Sequence, residues 1–384
     1  MVPFPDRLLQ KLEQRKSKNS LRQLPDVEKE LIDFSSNDYL GFADEGKIAN
    51  TVEQILERFA AFKNGATGSR LITGNHVLYK QTEIDLARFH KSESALIFNS
   101  GYDANLGFFS AVPQRGDLVL FDEVVHASIR DGISLGNARA QKYRHNHLED
   151  LEQKIRKFKE SLLPGAEVYV VTESVFSMDG DSPDLMKMAA ICKKHHCKLV
   201  VDEAHAIGVF GQAGEGQVQN LDLQKDVFAR IITFGKAMGC HGAAVLGSNH
   251  LKEFLVNFAR SFIYTTGLPP HSVANIQAAY HQLEKSKNLI RLQENIEFFK
   301  LKVENFRLGD WFIESDSAIQ CLKVGQIDVA KRLSSEIIRN GYDVRAILSP
   351  TVPMGAERLR ICIHSFNTKE QIEDLLYLLK RLLD

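Results

Sequence analysis

An excess of charge is missing from this chain. Lysine and arginine number 48 against 49 aspartates and glutamates, a formal net charge of −1. Nothing in that balance attracts nucleic acid, and no block of like charges forms a polyelectrolyte tail. Also missing is any apolar run near the roughly 20 residues that cross a bilayer, so no membrane span is expected. The opening residues, Met1-Val2-Pro3-Phe4-Pro5-Asp6-Arg7, lack the apolar core of a secretory signal. Cysteine is scarce: Cys192, Cys197, Cys240, Cys321 and Cys362 form an odd, scattered set. In a large chain that pattern points to reduced thiols and a cytoplasmic location. His195-His196-Cys197 has no second ligand pair at a familiar spacing, so no metal site is expected. Internal repeats and low-complexity stretches are absent as well. What remains is 384 residues of ordinary globular composition, 44% hydrophobic and 25% charged. That length suits two or three packed units.

Apolar periodicity divides the chain. Residues 7–19 read as a charged helix, and Val52, Ile55, Leu56 and Phe59 line one face of a helix over 48–62. Short apolar runs follow at Ala95–Phe98, Leu118–Phe121, Val168–Thr172, Lys198–Val201 and Arg230–Phe234. Helical patterns such as 148–160 and 184–196 lie between some of them. This alternation predicts a doubly wound α/β domain over residues 45–275, its mostly parallel sheet covered on both faces. Residues 1–44 precede it as an N-terminal segment. Beyond it, a long charged helix over 276–305 leads to strand-like runs at Ala318–Val324 and Leu359–Ile363. Thr368 and Gln371 have capping-box spacing. Ile372, Leu375, Leu376 and Leu379 then line the inner face of the last helix. Residues 276–384 are expected to form a smaller α+β domain.

Ligands of open α/β sheets bind beyond the carboxyl ends of the strands, and here those ends are polar. Leu118–Phe121 runs into Asp122 and His126. Val168–Thr172 runs into Glu173, Ser174 and Ser177. Lys198–Val201 runs into Asp202, Glu203 and His205, and Arg230–Phe234 into Lys236. Lys236 stands out because small and apolar residues flank it, from Ile231 to Gly239. A lysine so placed either reaches solvent, as most do, or is buried with a lowered pKa and a nucleophilic amine. Pyridoxal phosphate (PLP) chemistry uses such an amine as its Schiff-base anchor. It also needs a carboxylate at the pyridine nitrogen, a donor at the phenolic oxygen, a flat group over the ring and a phosphate cradle. Asp202 stands where the carboxylate must, and His205 can turn toward the same ring. Ser100-Gly101-Tyr102 follows an apolar run and can open a helix whose N–H groups meet phosphate.

Several longer motifs carry a family resemblance along nearly the whole chain. They are Phe34-Ser35-Ser36-Asn37-Asp38-Tyr39-Leu40-Gly41, Gly65-Ala66-Thr67-Gly68-Ser69-Arg70 with Thr73-Gly74-Asn75, and Val171–Asp181. Val201-Asp202-Glu203-Ala204-His205-Ala206-Ile207-Gly208, the Lys236 motif and Tyr264-Thr265-Thr266-Gly267-Leu268-Pro269-Pro270 complete the series. In this order they resemble the α-oxoamine synthases, PLP enzymes of fold type I, the aspartate-aminotransferase-like fold. The resemblance implies roles. Lys236 is the Schiff-base lysine and the acid/base at the substrate α-carbon. Asp202 pairs with the pyridinium nitrogen, His205 with the phenolic oxygen, and His126 stacks on the ring. Ser177 contacts the cofactor, while Ser100, Gly101, Tyr102 and Thr233 serve the phosphate. Thr265 or Thr266 reaches the phosphate of a partner subunit, which implies a homodimer. Asn37 and Arg360 hold the amino-acid carboxylate, a task that suits the fork of arginine. The chain departs from the family pattern at Ser174, at Glu203 with Ala206, and at Cys240-His241.

The implied reaction is the decarboxylative condensation of a small amino acid with an acyl thioester. The Gly-x-x-Gly-Ser-Arg and Tyr-Thr-Thr-Gly-Leu-Pro-Pro segments resemble the 8-amino-7-oxononanoate synthases of biotin biosynthesis, which join L-alanine to a pimeloyl thioester. Glycine C-acetyltransferases and serine palmitoyltransferase-like members stay open as alternatives, as does the carrier, coenzyme A or a carrier protein. Two other classes are weighed. One is a nucleotide-binding oxidoreductase, suggested by Gly208, Gly211, Gly214 and Gly216, whose spacing is not Gly-x-Gly-x-x-Gly. The other is a PLP-holding homologue without catalysis, which the complete Lys236, Asp202, His205 and His126 set argues against.

Overall fold

The computed structural model describes residues 3–22, 24 and 30–384. Parts of the opening Met1–Arg7 segment and of the N-terminal 1–44 segment lie outside these residues. Seven strands build the principal sheet, in the spatial order Ser94–Phe98, Ala243–Gly247, Ala229–Thr233, Lys198–Asp202, Val168–Glu173, Leu118–Asp122, Arg139–Tyr143. Only Ala243–Gly247 runs against the others. Parallel neighbours need crossover connections, and helices such as Leu148–Lys159 and Leu185–Lys194 supply them. The sheet is thus α/β, doubly wound and mostly parallel, as expected.

Alternation along the strands sorts the two faces. Val119, Val171, Val200 and Ile231 pack with Phe108, Phe109, Ile129 and Ile133 of helices Gly101–Ala111 and Ala127–Leu135. Leu118, Leu120, Val170, Leu199 and Val201 pack on the other face against Leu151, Ile155, Met188 and Cys192. Two residues beyond Val171, Val200 and Ile231 stand Glu173, Asp202 and Thr233. The period of two therefore turns these polar residues to the face of the first helix pair. There the apolar packing gives out and a site begins.

Two elements differ from expectation. The helix predicted over 276–305 is two helices, Pro270–Leu283 and Asn288–Asn305. Glu284-Lys285-Ser286-Lys287 joins them, a charged link without the glycine or proline that usually marks a break. Strand Arg139–Tyr143 went unread because it is an edge strand, half exposed and rich in charge.

The C-terminal part holds an antiparallel sheet ordered Arg345–Ile347, Arg358–Cys362, Ile319–Lys323. Its last helix, Lys369–Leu383, opens with the expected capping box of Thr368 and Gln371 and buries Ile372, Leu375, Leu376 and Leu379. The segment before the large sheet threads along strand Arg358–Cys362. Cys362 N–H donates to the Phe34 carbonyl and Ser365 N–H to the Tyr39 carbonyl, both at 2.8 Å. That threading sets Asn37 and Tyr39 beside Arg360. Among the described residues no helix is long and apolar enough to cross a membrane.

Candidate active site

Beyond the carboxyl ends of the central strands lies a cavity lined by Gly101, Tyr102, Asn105, His126, Ser128, Glu173, Asp202, His205, Thr233 and Lys236, among others. Glu173 comes from one strand end, Asp202 and His205 from a second, Thr233 and Lys236 from a third, and the others from the N-terminal parts of helices Gly101–Ala111 and Ala127–Leu135. Glu173 and Asp202 are register partners on adjacent parallel strands, so their carboxyl groups stand side by side. Both are buried. Burial and the neighbouring Asp202 push the Glu173 carboxyl up to about 8. Lys236 responds in the opposite sense. Burial disfavours its ammonium and lowers it to about 8, against the pull of Asp202 and Glu173. The site thus holds an amine within reach of its neutral form near physiological pH.

A hydrogen-bonded chain ties the floor of the cavity to His126. Asn105 Nδ2 donates to Asp202 Oδ2 at 2.8 Å and to Ser128 Oγ at 3.0 Å. The Ser128 hydroxyl lies 2.7 Å from His126 Nδ1, which also accepts the Ser128 N–H. The His126 N–H in turn donates to Glu173 Oε1 at 2.5 Å. Asp202 Oδ1 accepts the Ala204 N–H at 2.9 Å. Asp202 is therefore oriented through both oxygens, and His126 through ring and backbone. Burial lowers the His126 pKa.

His205 is fully enclosed. Burial, with Lys236 and Arg360 nearby, holds it well below the ordinary histidine range, so its ring is neutral. Its Nδ1 lies 2.8 Å from the Tyr39 hydroxyl. That hydroxyl is 3.1 Å from Asn37 Oδ1 and accepts from Arg360 Nη2 at 3.3 Å. Arg360 Nη2 also donates to Asn37 Oδ1 at 2.9 Å, and Nε to the Ser177 carbonyl at 2.7 Å. Asn37 and Arg360 thus meet, next to the cavity rather than in its wall.

The remaining expected residues fall as follows. Ser100 caps helix Gly101–Ala111, its Oγ accepting the Asp103 N–H at 3.0 Å. Gly101 and Tyr102 form the first turn and, with Thr233, line the cavity. Ser177 does not line the cavity; its contact is the carbonyl bond to Arg360. Thr265 and Thr266 are also outside it, bound to Asn99 Nδ2 through Thr265 Oγ1 and the Thr266 carbonyl. The family departures have structural partners. Glu203 is buried against Arg230, Oε2 accepting Nε at 2.6 Å, and Oε1 accepts the Val218 N–H at 2.9 Å. A Cβ on Gly216 would come within 2.8 Å of Glu203 Oε1, so that glycine makes room for the pair. Of the glycines from 208 to 216, Gly216 thus packs on a buried ion pair.

Asn105, Ser128, Glu173 and Tyr39 received no role from the sequence. Asn105 had a signal: it is a buried polar residue one turn beyond Gly101, on a helix face that also carries Phe108 and Phe109. A fifth residue, His145, had none. It bridges Asp122 Oδ1 at 2.9 Å and Asp181 Oδ2 at 2.8 Å. Burial alone would lower its pKa, but the two carboxylates raise it to about 10. This imidazolium pins the Ser177 loop to the strand ending at Asp122. A raised folded-state pKa contributes stability that is complete below about 6.5 and lost as pH rises through 10. Thermal denaturation of His145→Gln is expected to show a loss on the order of 3 kcal/mol at pH 6, shrinking toward pH 10. A constant deficit across that window would contradict the ion-pair role.

The chain is similar to known proteins in sequence and in fold. The family model described as aminotransferase class I and II matches residues 29–379. A protein of Geobacillus kaustophilus named putative 8-amino-7-oxononanoate synthase is 40% identical over 90% of this chain and 87% of its own length. The 8-amino-7-oxononanoate synthase of Emericella nidulans is 38% identical over 97% and 94%. Among solved structures, serine palmitoyltransferase of S. paucimobilis, solved with bound PLP and myriocin, superposes with TM-score 0.87 at 27% identity, covering 98% of this chain and 96% of that one. The 8-amino-7-oxononanoate synthase of Francisella tularensis superposes with TM-score 0.77 at 30% identity, over 92% and 98%.

Proposed function

The chain belongs to the aminotransferase class I and II family, within its α-oxoamine synthase branch, and from that premise we propose that it condenses L-alanine with a pimeloyl thioester. The products are 8-amino-7-oxononanoate, carbon dioxide and the free thiol, a step of biotin biosynthesis. One observation carries the reading most directly. Lys236, its pKa lowered by burial, shares one cavity with Asp202, His205, His126 and the N-terminus of a capped helix.

That donor set fits PLP: an amine for its aldehyde, a carboxylate for its ring nitrogen, an imidazole for its phenolic oxygen, and backbone N–H groups for its phosphate. Bound there, PLP supplies a conjugated ring that takes up the electron pair left when a bond to the substrate α-carbon breaks. The protein does the rest. Asp202, held by Asn105 and Ala204, keeps a proton on the ring nitrogen. His205 donates to the phenolic oxygen, and His126 covers one face of the ring. Ser177 serves the cofactor from the neighbouring loop. Gly101 and Tyr102, with Ser100 and Thr233, cradle the phosphate. Arg360 and Asn37 take the amino-acid carboxylate, and Lys236 Nζ removes the α-proton and returns one after decarboxylation. Thr265 or Thr266 completes the phosphate site of a partner subunit, so the active unit is a homodimer. All five cysteines are free, which fits a reducing, cytoplasmic setting.

The test is thiol release from acyl thioesters of graded length, with alanine, glycine and serine compared. Alanine with the pimeloyl thioester is expected to lead by at least about tenfold, the discrimination that one small group provides in a fitted pocket. Glycine with a short acyl chain leading instead would overturn the assignment. Serine with a long acyl chain is the second reading, favoured by the higher TM-score of the serine palmitoyltransferase. Sequence identity favours the first.

A further inference from the structure

The geometry points to Tyr39 as a positioning residue that links the carboxylate-binding end of the site to His205, on the reading of the site given above. Tyr39 is fully buried, and its hydroxyl touches both ends. Counting protons assigns its bonds. Arg360 can only donate, so Nη2 at 3.3 Å takes a lone pair of the Tyr39 oxygen. Asn37 Oδ1 already accepts from Arg360 at 2.9 Å and lies 3.1 Å from the Tyr39 oxygen. His205 Nδ1 is nearer, at 2.8 Å. Both Nδ1 and Asn37 Oδ1 can take the single Tyr39 proton, and the shorter distance assigns it to Nδ1. A neutral histidine has one N–H, and with Nδ1 accepting, that N–H sits on Nε2. His205 is then held as a donor on its cavity side, the form that a phenolic oxygen requires.

The same hydroxyl makes His205 sensitive to the other end. The Tyr39 oxygen, itself anchored on Nδ1, holds Arg360 Nη2 in place for an arriving carboxylate. Arg360 in turn polarises the Tyr39 O–H and strengthens its bond to Nδ1. Amino-acid binding is in this way felt at the cofactor ring through one buried oxygen.

The experiment uses the full-length holoenzyme. Its first arm needs no variant: histidine 15N spectra of the wild type should place the His205 proton on Nε2, and a proton on Nδ1 overturns the assignment. The second arm follows the visible band of bound PLP as L-alanine is titrated. Tyr39→Phe should raise the alanine Kd about tenfold, the loss of one hydrogen bond to a charged group. His205→Asn should raise it too. Combined with Tyr39→Phe it should add clearly less than its separate factor, because coupled residues are non-additive. A Tyr39→Phe enzyme with a lower melting temperature but an unchanged Kd overturns the proposal, as does a double variant whose factors multiply. Wild-type protein that takes up no PLP contradicts the cofactor reading instead, and is recognised before any variant is made.

Discussion

With alanine in place of Lys236, turnover falls by at least about 10⁴-fold. That is the upper end of a general acid–base contribution, because the same amine also holds the cofactor. The exchange removes a cation whose burial is unfavourable, so folding stability should not drop. PLP should still bind, reversibly, since Asp202, His205 and the capped helix remain. Lys236→Arg does not restore activity, because a guanidinium has no neutral form at working pH. In the wild type, PLP uptake by the apoprotein should rise with pH and level off above about 8, where Lys236 loses its proton. Steady-state rates and uptake kinetics check these outcomes. A Lys236→Ala enzyme within tenfold of wild type would remove the lysine from the chemistry.

Asp202→Asn is the second large effect, a fall in turnover of roughly 10²–10³-fold, the usual loss when one preorganised electrostatic partner is removed. The structure explains why this variant should fold. Its amide oxygen can still accept the Ala204 N–H. Its NH2 would face Asn105 Nδ2, a donor against a donor, but Asn105 Oδ1 is buried without a partner. Turning the Asn105 amide over lets that oxygen accept from the new NH2 and from the Ser128 hydroxyl, while the Asn105 NH2 gives up its two acceptors. Asp202→Ala takes from the Ala204 N–H its acceptor and from Asn105 Nδ2 one of its two, and should be less stable than Asp202→Asn by about 1–3 kcal/mol. Equal stability of the two would contradict this hydrogen-bond account. Unchanged turnover in Asp202→Asn would take the carboxylate out of the mechanism.

The catalytic rim was legible because its strands are central. Val168–Glu173 and Lys198–Asp202 are buried throughout or nearly so, so they read as unbroken apolar runs, and the first titratable residue after each marks the rim. Asp202 is that residue on its strand, with His205 three positions on, and Lys236 follows the next strand, Ala229–Thr233; their roles came from the family resemblance. Elements that answer to solvent were less legible. The charged edge strand Arg139–Tyr143 carries no apolar pattern, and the Glu284–Lys287 link interrupts a helix without a punctuating residue. Side-chain chemistry that depends on three-dimensional neighbours was hidden. Glu173 reads as one more polar strand end until its register with Asp202 sets the two carboxyls together. Tyr39 sits 166 residues from the histidine it meets, and no local pattern announces that. His145 looks like a loop histidine until two aspartates from different segments enclose it. Thr265 and Thr266 stand outside the cavity of their own chain, and the role the family resemblance implies for them is toward a partner subunit.

Borohydride reduction of the purified protein tests the central claim most directly. Digestion and mass spectrometry should find one pyridoxyl group per chain, on Lys236, and none in the Lys236→Ala variant. A label on another lysine, or an undiminished label in that variant, would contradict the account.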